Sequence, residues 1–347
     1  MATLIDTSCA REYLWTDVNG RVRSKTRMVP HSNIPCGLWT YDGSSTGQAE
    51  PGDSDVVLRP CREYNDPFRD PGRVCGDSLV LCDTLLPDGS TPHNTNTRQR
   101  AVEVLDRAER YAPMFGAEQE FFLVNQWTGL PDQVMGSGSS GLSGNGRHYC
   151  GVGTSVARTR VYAEEVLERA RAAGISLTGM NLEVAQGQCE FQVCAVGIRA
   201  ADDLIVLRYI MERVGEGYGY DISYEPKLIS GDSEFNGSGC HVNFSTQAMR
   251  EQEAGAIQEA IDRLALHHND YIHLCGTGNS ARLTGTHETS SSELFTWGRS
   301  DRSASVRIPL QFGENGGDPQ YIEDRRPGAN IDPYIVFSAI VSTVCDV

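Results

Sequence analysis

The chain has no apolar run near the roughly 18 residues that a membrane span requires. Its first residues, MATLIDTSCAREYLW, lack the basic flank and long apolar centre of a signal peptide. Both absences lead to the expectation of a cytoplasmic protein. The chain is also short of positive charge. Thirty Lys and Arg stand against 46 Asp and Glu, a formal net charge of -16. A surface that acidic repels phosphate backbones and anionic lipid, so neither nucleic acid nor membrane is expected as a partner. There is no C-x-x-C pair. The 11 cysteines are scattered singly, without regular spacing, and read as reduced thiols that mostly fill a core. No internal repeat is visible. What is there is ordinary for a soluble globular chain: 39% hydrophobic and 22% charged residues over 347 positions. At roughly 100–200 residues per domain, that length predicts two or three domains.

The first segment reads as a hairpin. Residues 12–18 and 21–27 flank Asn19-Gly20, a dipeptide suited to a type I′ turn. Residues 30–96 are rich in Gly, Pro, Asp and Ser, with short apolar runs such as 77–83. They predict a small β-rich domain over 1–96 with long functional loops. A helix begins near Thr97, where a second domain, 97–347, is expected to start. A strand over 115–124 comes next, then a Gly/Ser-rich loop over 129–146 that is too long for a simple connection. A helix over 156–173 stops at Gly174. Strands over 176–184 and 188–194, a helix over 202–216 and a strand over 239–246 follow. A single long amphipathic helix is expected to end near His273. A strand over 303–309, the segment 321–326 and a closing helix complete the pattern. That helix opens on Asp332-Pro333, an N-cap with proline at the first helical position. The class is α+β, with antiparallel strands and helices packed on one side.

Glu118 and Glu120 stand at i and i+2 in FGAEQEFFLV, which puts both carboxylates on one face of a strand. Glutamate is depleted in strands, and these neighbours are apolar. Alone, the pair reads more readily as the wet face of a half-exposed strand. Glu183 and Glu190 lie among strand formers in NLEVAQGQCEFQV, where exposed hairpin polarity is again the plain alternative. Four isolated glutamates sharing one face would repel each other unless cations lay between them. Hard ions such as Mg²⁺ or Mn²⁺ favour such oxygen ligands. His241, Asn243 and Ser245 share a strand face in NGSGCHVNFS, and Gly237 and Gly239 before them permit close backbone approach. A lone histidine is more often structural than a ligand. Arg282, Arg302, Arg307, Arg325 and Arg326 form a positive counterpart, since arginine grips carboxylate and phosphate with two donors. Surface solubilisation is the plain reading of these arginines. Arg302 and Arg307 are five apart and converge only if Arg302 lies before the strand or beside a bulge.

Taken together, the motifs resemble glutamine synthetases of type II, the eukaryote-type class. They are DGSST at 42–46, EQE at 118–120, YCGVG at 149–153, the acids Glu183 and Glu190, and NGSGCHVNFST at 236–246. RLTGTHET at 282–289, RSASVRIP at 302–309 and YIEDRRPGANIDPY at 321–334 complete the set. They stand in the family's order over nearly the whole chain. The resemblance implies a small β-grasp-like N-terminal domain and a catalytic domain with a curved antiparallel sheet, a funnel or half-barrel, backed by helices. It implies ATP-dependent ligation of ammonia to the γ-carboxylate of glutamate through γ-glutamyl phosphate. One cation would be held by Glu120, Glu183 and Glu190, and a second by Glu118, His241 and Glu323. Arg282, helped by Arg325, Asn236 and Gly237, would take glutamate. Arg302 and Arg307 would meet the phosphates of ATP. Asn243, Ser245, Arg250 and Tyr321 would line the nucleotide pocket. Asp42, Ser45, Tyr149 and Glu288 would form the ammonium site, with Asp42 arriving from a neighbouring subunit. The implied assembly is a homo-oligomer, a decamer of two pentameric rings.

The chain departs from the family pattern at Met114, Cys189, Cys194-Ala195, Asp301, Arg147-His148 and the loop 232–235. These positions bear on the nucleotide contacts and on the amine acceptor. They leave open a second reading, a γ-glutamyl amide or hydrazide ligase that uses a substituted amine. A non-catalytic relative would have lost a metal ligand or a phosphate arginine, and this chain keeps them all. A metal-dependent hydrolase has no need of so many arginines.

Overall fold

The computed structural model describes residues 8–31, 33–69, 76–131, 148–229, 235–310 and 320–347. The predicted loop over 129–146 and Arg147 lie largely outside these residues, as does most of 232–235. Among the described residues there are two sheets. The first has five strands in the order β2-β1-β5-β4-β3. They are β1 (Cys9–Thr16), β2 (Val22–Val29), β3 (Trp39–Asp42), β4 (Asp55–Asn65) and β5 (Ser78–Leu85). The pairs in this sheet are antiparallel, as expected, except that β1 and β5 run parallel. The first hairpin is corrected. Thr16 pairs with Val22, so the connection is five residues long and not a two-residue turn. Asp17 is the reason: its Oδ1 accepts from the backbone N–H groups of Asn19 and Arg21, at 2.8 and 3.0 Å. That side chain closes the loop, and only Gly20 takes a positive φ, 74°. Cys9 is disulfide-bonded, against the expectation of thiols throughout. Among the described residues, nine other cysteines are free.

The second sheet carries eight strands in the order β11-β12-β13-β10-β6-β8-β7, with β9 on β6. These are β6 (Met114–Asn125), β7 (Leu177–Leu182), β8 (Gln188–Val196), β9 (Tyr220–Ser223), β10 (Cys240–Ser245), β11 (Trp297–Arg299), β12 (Val306–Ile308) and β13 (Ile322–Asp324). All pairs are antiparallel except β11 with β12. The sheet curls into a half-barrel with helices against one face. The chain is α+β, as expected. The helices are α1 (Thr97–Arg107), α2 (Ala157–Ala173), α3 (Arg199–Tyr218), α4 (Gln247–Arg250), α5 (Ala256–Leu266), α6 (His268–Tyr271) and α7 (Pro333–Cys345). The single helix expected to end near His273 is three pieces. Gln252 and Gly255 take positive φ, 59° and 89°, and so interrupt it between α4 and α5.

The period-2 alternation of β6 decides what each face does. Phe115, Ala117 and Phe121 join the main core with Val206, Ile210 and Phe337 from α3 and α7. Phe121 stacks on Phe191 at 5.9 Å. Burying a phenylalanine in this way contributes roughly 1.5–3 kcal/mol. Leu14, Tyr64, Leu79 and Leu81 of the first sheet enter the same core. A polar bolt joins the two parts there. Asp202 of α3 is fully buried and accepts from Arg62 of β4, Arg98 of α1 and Tyr334 of α7. The other face of β6 is left for chemistry.

Candidate active site

Register brings distant residues into rows on that second face. Glu118 lies opposite His241 on one side and Gln192 on the other. Glu120 lies opposite Glu190. Asn243 lies opposite Glu323, which lies opposite Arg307. Glu183 is corrected from a strand position to the residue just past β7. There its Oε1 accepts from Asn181 Nδ2 at 2.7 Å and its Oε2 from the Val184 N–H at 3.1 Å. The result is two acidic sets. Glu118, His241 and Glu323 offer ligand atoms within 4.8 Å of one another, and so do Glu120, Glu183 and Glu190. These are the same two groupings that the resemblance implied.

The donor chemistry fits a pair of hard divalent cations. Five carboxylates and one imidazole suit Mg²⁺ or Mn²⁺ better than softer metals. Glu323 is 1% exposed, and its Oε2 has no aligned hydrogen bond among the described residues, only an ion-pair contact with Arg307 Nε at 2.5 Å. A buried carboxylate oxygen left so is costly unless a cation meets it. Burial, and then the charge of Glu183, pushes Glu120 from 4.5 up to about 8. Burial also raises Glu190 well above its ordinary value, with Glu118 the next cause. Glu183 is raised by burial as well. Burial holds His241 below its usual value, and Arg325 adds to the effect. His241 is thus a neutral imidazole, the form that ligates a metal.

A pH dependence follows from these shifts. Without a cation, Glu120 in the folded protein keeps a proton that the unfolded chain gives up between about 4.5 and about 8, and Glu183 and Glu190 shift in the same direction, while His241 opposes them. The stability of the metal-free protein therefore falls as pH rises through that window. A cation displaces those protons. The rise in melting temperature caused by saturating Mg²⁺ is expected to be larger at pH 8 than at pH 6. Differential scanning calorimetry at both values checks this, and an equal or smaller rise at pH 8 contradicts it.

Beside the acids lies a cavity of about 230 Å³, lined by Glu120, Glu183, Asn236, Gly237, Arg282 and Glu288 among others. Arg282 is pinned. Its Nε donates to Asn279 Oδ1 at 2.9 Å, and one terminal nitrogen donates to the carbonyls of Arg325, Arg326 and Pro327. The other terminal nitrogen, Nη1, lies beside Gly239. Gly237 and Gly239 are needed because Arg282 and His241 cross them. A Cβ at Gly237 would meet Arg282 Cγ at 2.5 Å, and one at Gly239 would meet His241 Nε2 at 2.6 Å. Arg325 donates to Glu323 Oε1, to the Arg302 carbonyl and to the Glu288 carbonyl. It therefore ties both loops to the metal-ligand strand. Glu288 follows His287, and both take positive φ, 59° and 51°. Each such conformation costs on the order of 1 kcal/mol.

The remaining candidates are placed less directly. Arg302 lies exposed in the turn before β12, the arrangement that lets it approach the side of Arg307. Tyr149 is half-exposed, and burial with the Glu183 charge raises its hydroxyl. Asn236 Nδ2 donates to Gln188 Oε1. Asn243 Nδ2 donates to Glu118 Oε1 at 2.7 Å. Ser245 Oγ accepts from Arg250, which also clamps the Ala112 carbonyl. Tyr321 is half-buried just before β13. Asp42 and Ser45 do not line this chain's cavity. They sit at the end of β3, an edge strand of the first sheet. There Asp42 accepts from Ser44 and Ser45, which hold its carboxyl down at about 2. Of the family departures, Cys189 packs in the main core, on the face away from Glu190.

Residue reasoning missed the polar partners of the acids. Gln188 Nε2 reaches Glu120 Oε2 and the Gly237 carbonyl, and Gln192 Nε2 donates to Glu190 Oε1. Their signal was the i-2 and i+2 spacing from Glu190. Asn279 and Lys227 carried no such signal. Lys227 lines the cavity and donates to the Phe235 carbonyl.

Two acidic sets with the donor chemistry of hard-cation sites, beside a cavity that holds a buried arginine, are the features of a metal-dependent enzyme. The comparisons narrow that class. Residues 94–346 match the family model described as "Glutamine synthetase, catalytic domain". A putative glutamine synthetase of Acanthamoeba polyphaga mimivirus is 44% identical over 345 residues, covering 96% of this chain and 94% of that protein. Glutamine synthetase of Agaricus bisporus is 43% identical, covering 96% and 92%. The cytosolic isozyme 1-1 of Arabidopsis thaliana is 42% identical, also covering 96% and 92%. The chain belongs to the glutamine synthetase family.

Proposed function

We propose that this chain is a glutamate–ammonia ligase, using ATP to join ammonia to the γ-carboxylate of glutamate. The observation that carries the reading is the pair of acidic sets on one sheet face, opening onto the cavity of Arg282 and Glu288. The relatives bear the name of glutamine synthetases, which favours ammonia over a substituted amine. Mg²⁺ or Mn²⁺ would be held by Glu120, Glu183 and Glu190 and by Glu118, His241 and Glu323, and would offset charge on the transferring phosphoryl group. Arg282, with Asn236 and Gly237, takes the α-carboxylate of glutamate. Arg302 and Arg307 take the phosphates, and Asn243, Ser245, Arg250 and Tyr321 border the nucleotide. Arg325 holds the two loops over the reacting groups. Asp42, Ser45, Tyr149 and Glu288 receive ammonium, and a carboxylate takes the proton that must leave before nitrogen can attack. Glu288 on its strained loop helps exclude water from the acyl phosphate.

The exposed edge position of Asp42 supports its delivery to a neighbour's cavity, hence a homo-oligomer. We read that oligomer as a decamer of two five-membered rings. We assign the first sheet to an N-terminal β-grasp-like domain, 1–96, and the second to a catalytic domain, 97–347. No helix among the described residues is long and apolar enough to cross a membrane. With a relative named as cytosolic, this supports a cytoplasmic setting. The test is a panel of amines with purified protein, glutamate and ATP. Ammonia is expected to support turnover at least as well as any substituted amine. If methylamine or hydrazine wins by a wide margin, the γ-glutamyl amide ligase replaces this reading.

A further inference from the structure

The two oxygens of Glu323 are held unequally. Oε1 accepts a directed hydrogen bond from Arg325 Nη1 at 2.6 Å. Oε2 meets Arg307 Nε at 2.5 Å, yet neither atom has an aligned hydrogen-bond partner among the described residues. The Arg307 contact is therefore one of charge alone. The two residues face each other across β12 and β13, so the sheet register enforces their approach. Arg325 is anchored twice more, on the Arg302 and Glu288 carbonyls, and its side chain is 6% exposed. The Arg307 side chain is 17% exposed, more open to solvent than that of Arg325.

A divalent cation sits about 2.0–2.2 Å from a carboxylate oxygen. Arg307 Nε occupies that space at Oε2. We infer that Arg307 is a stand-in cation for Glu323: it neutralises this buried carboxylate in the metal-free protein and yields it when the second cation centre fills. The inference rests on the metal and ATP reading proposed above. Arg307, once released, keeps its charge and lies next to the cation centre, where the phosphates would be gripped. Filling of the centre and phosphate binding are then linked, and the linkage is reciprocal: phosphate that engages Arg307 also strengthens cation binding at Glu323. Nucleotide and metal would thereby enter together instead of the phosphates being captured by a metal-free site.

The experiment measures Mn²⁺ binding to the full chain by titration calorimetry without nucleotide, beside thermal melts with and without Mn²⁺. Arg307→Gln removes the competing charge. It is expected to tighten the Mn²⁺ site that includes Glu323 by about 10-fold. The metal-free protein should melt lower, with a correspondingly larger rise on adding Mn²⁺. Arg302→Gln removes an equal charge nearby without touching Glu323 and is expected to tighten binding much less. Arg307→Lys keeps the charge and is expected to hold wild-type affinity. Equal tightening by Arg302→Gln, unchanged or weaker binding in Arg307→Gln, or tightening in Arg307→Lys overturns the inference. A variant that folds only with Mn²⁺ supports it. A wild-type protein that binds no Mn²⁺ overturns the metal reading itself, and the inference with it, and is told apart by that first titration.

Discussion

Glu190→Ala is expected to lower the rate of phosphoryl transfer by on the order of 10³ or more while raising the melting temperature of the metal-free protein. The two effects have one cause. Glu190 is 4% exposed and lies directly across the sheet from Glu120, with Glu183 in the same ligand set. Without a cation these carboxyls must either repel as charges or take up protons, and burial penalises each charge. Removing one relieves that repulsion, which contributes about 1 kcal/mol to the metal-free fold. The same removal takes a ligand from the centre that must offset charge on the phosphoryl group. ADP formation with glutamate and Mg²⁺ reports the first effect, and melts in chelator report the second. An inactive variant that also melts lower without metal would mean that Glu190 is a structural residue. An active one would end the ligand assignment.

Asp42→Asn is expected to slow amide formation by roughly 10²–10⁴ while ADP release in the absence of amine continues. Asparagine keeps an acceptor for the Ser44 N–H and can donate its Nδ2 to Ser45 Oγ, so the turn at 43–46 stays closed. What is lost is the negative charge that attracts ammonium and holds it where its proton must leave. The assignment also predicts complementation. If Asp42 serves a neighbour's site, mixed assemblies of Asp42→Asn and Glu190→Ala contain some sites with both residues intact. Activity should return after the two inactive proteins are dissociated and reassembled together, and not when either is reassembled alone. No recovery from a correctly assembled mixture would place Asp42 in its own chain's site or in none.

The chain is easiest to interpret where a local pattern has one structural outcome. The i, i+2 spacing of Glu118 and Glu120 put them on one face, and Asp332-Pro333 opened α7 with its carboxylate on the N–H groups of Tyr334 and Ile335. Gly174 closed α2 in the left-handed region, φ 87°. The long helix expected to end at His273 failed, because apolar periodicity runs through Gln252 and Gly255 without registering the break in backbone conformation. The turn at Asn19-Gly20 failed because a side chain two residues earlier supplied the closure.

By itself the sequence determined the α+β class, the acidic and arginine residue types that mark the chemistry, and, through eight ordered motifs, the family. Those are properties of local spacing and of residue identity. Only the tertiary structure shows how the acids come together in the two sets that the resemblance implied. Glu120, Glu183 and Glu190 meet, and Glu118 meets His241 and Glu323, because strands from both ends of the second half pair in one register. The tertiary structure also decided that Arg307 touches Glu323 by charge and Arg325 by a hydrogen bond. A charge in a sequence has no direction; burial and the angle of approach supply it.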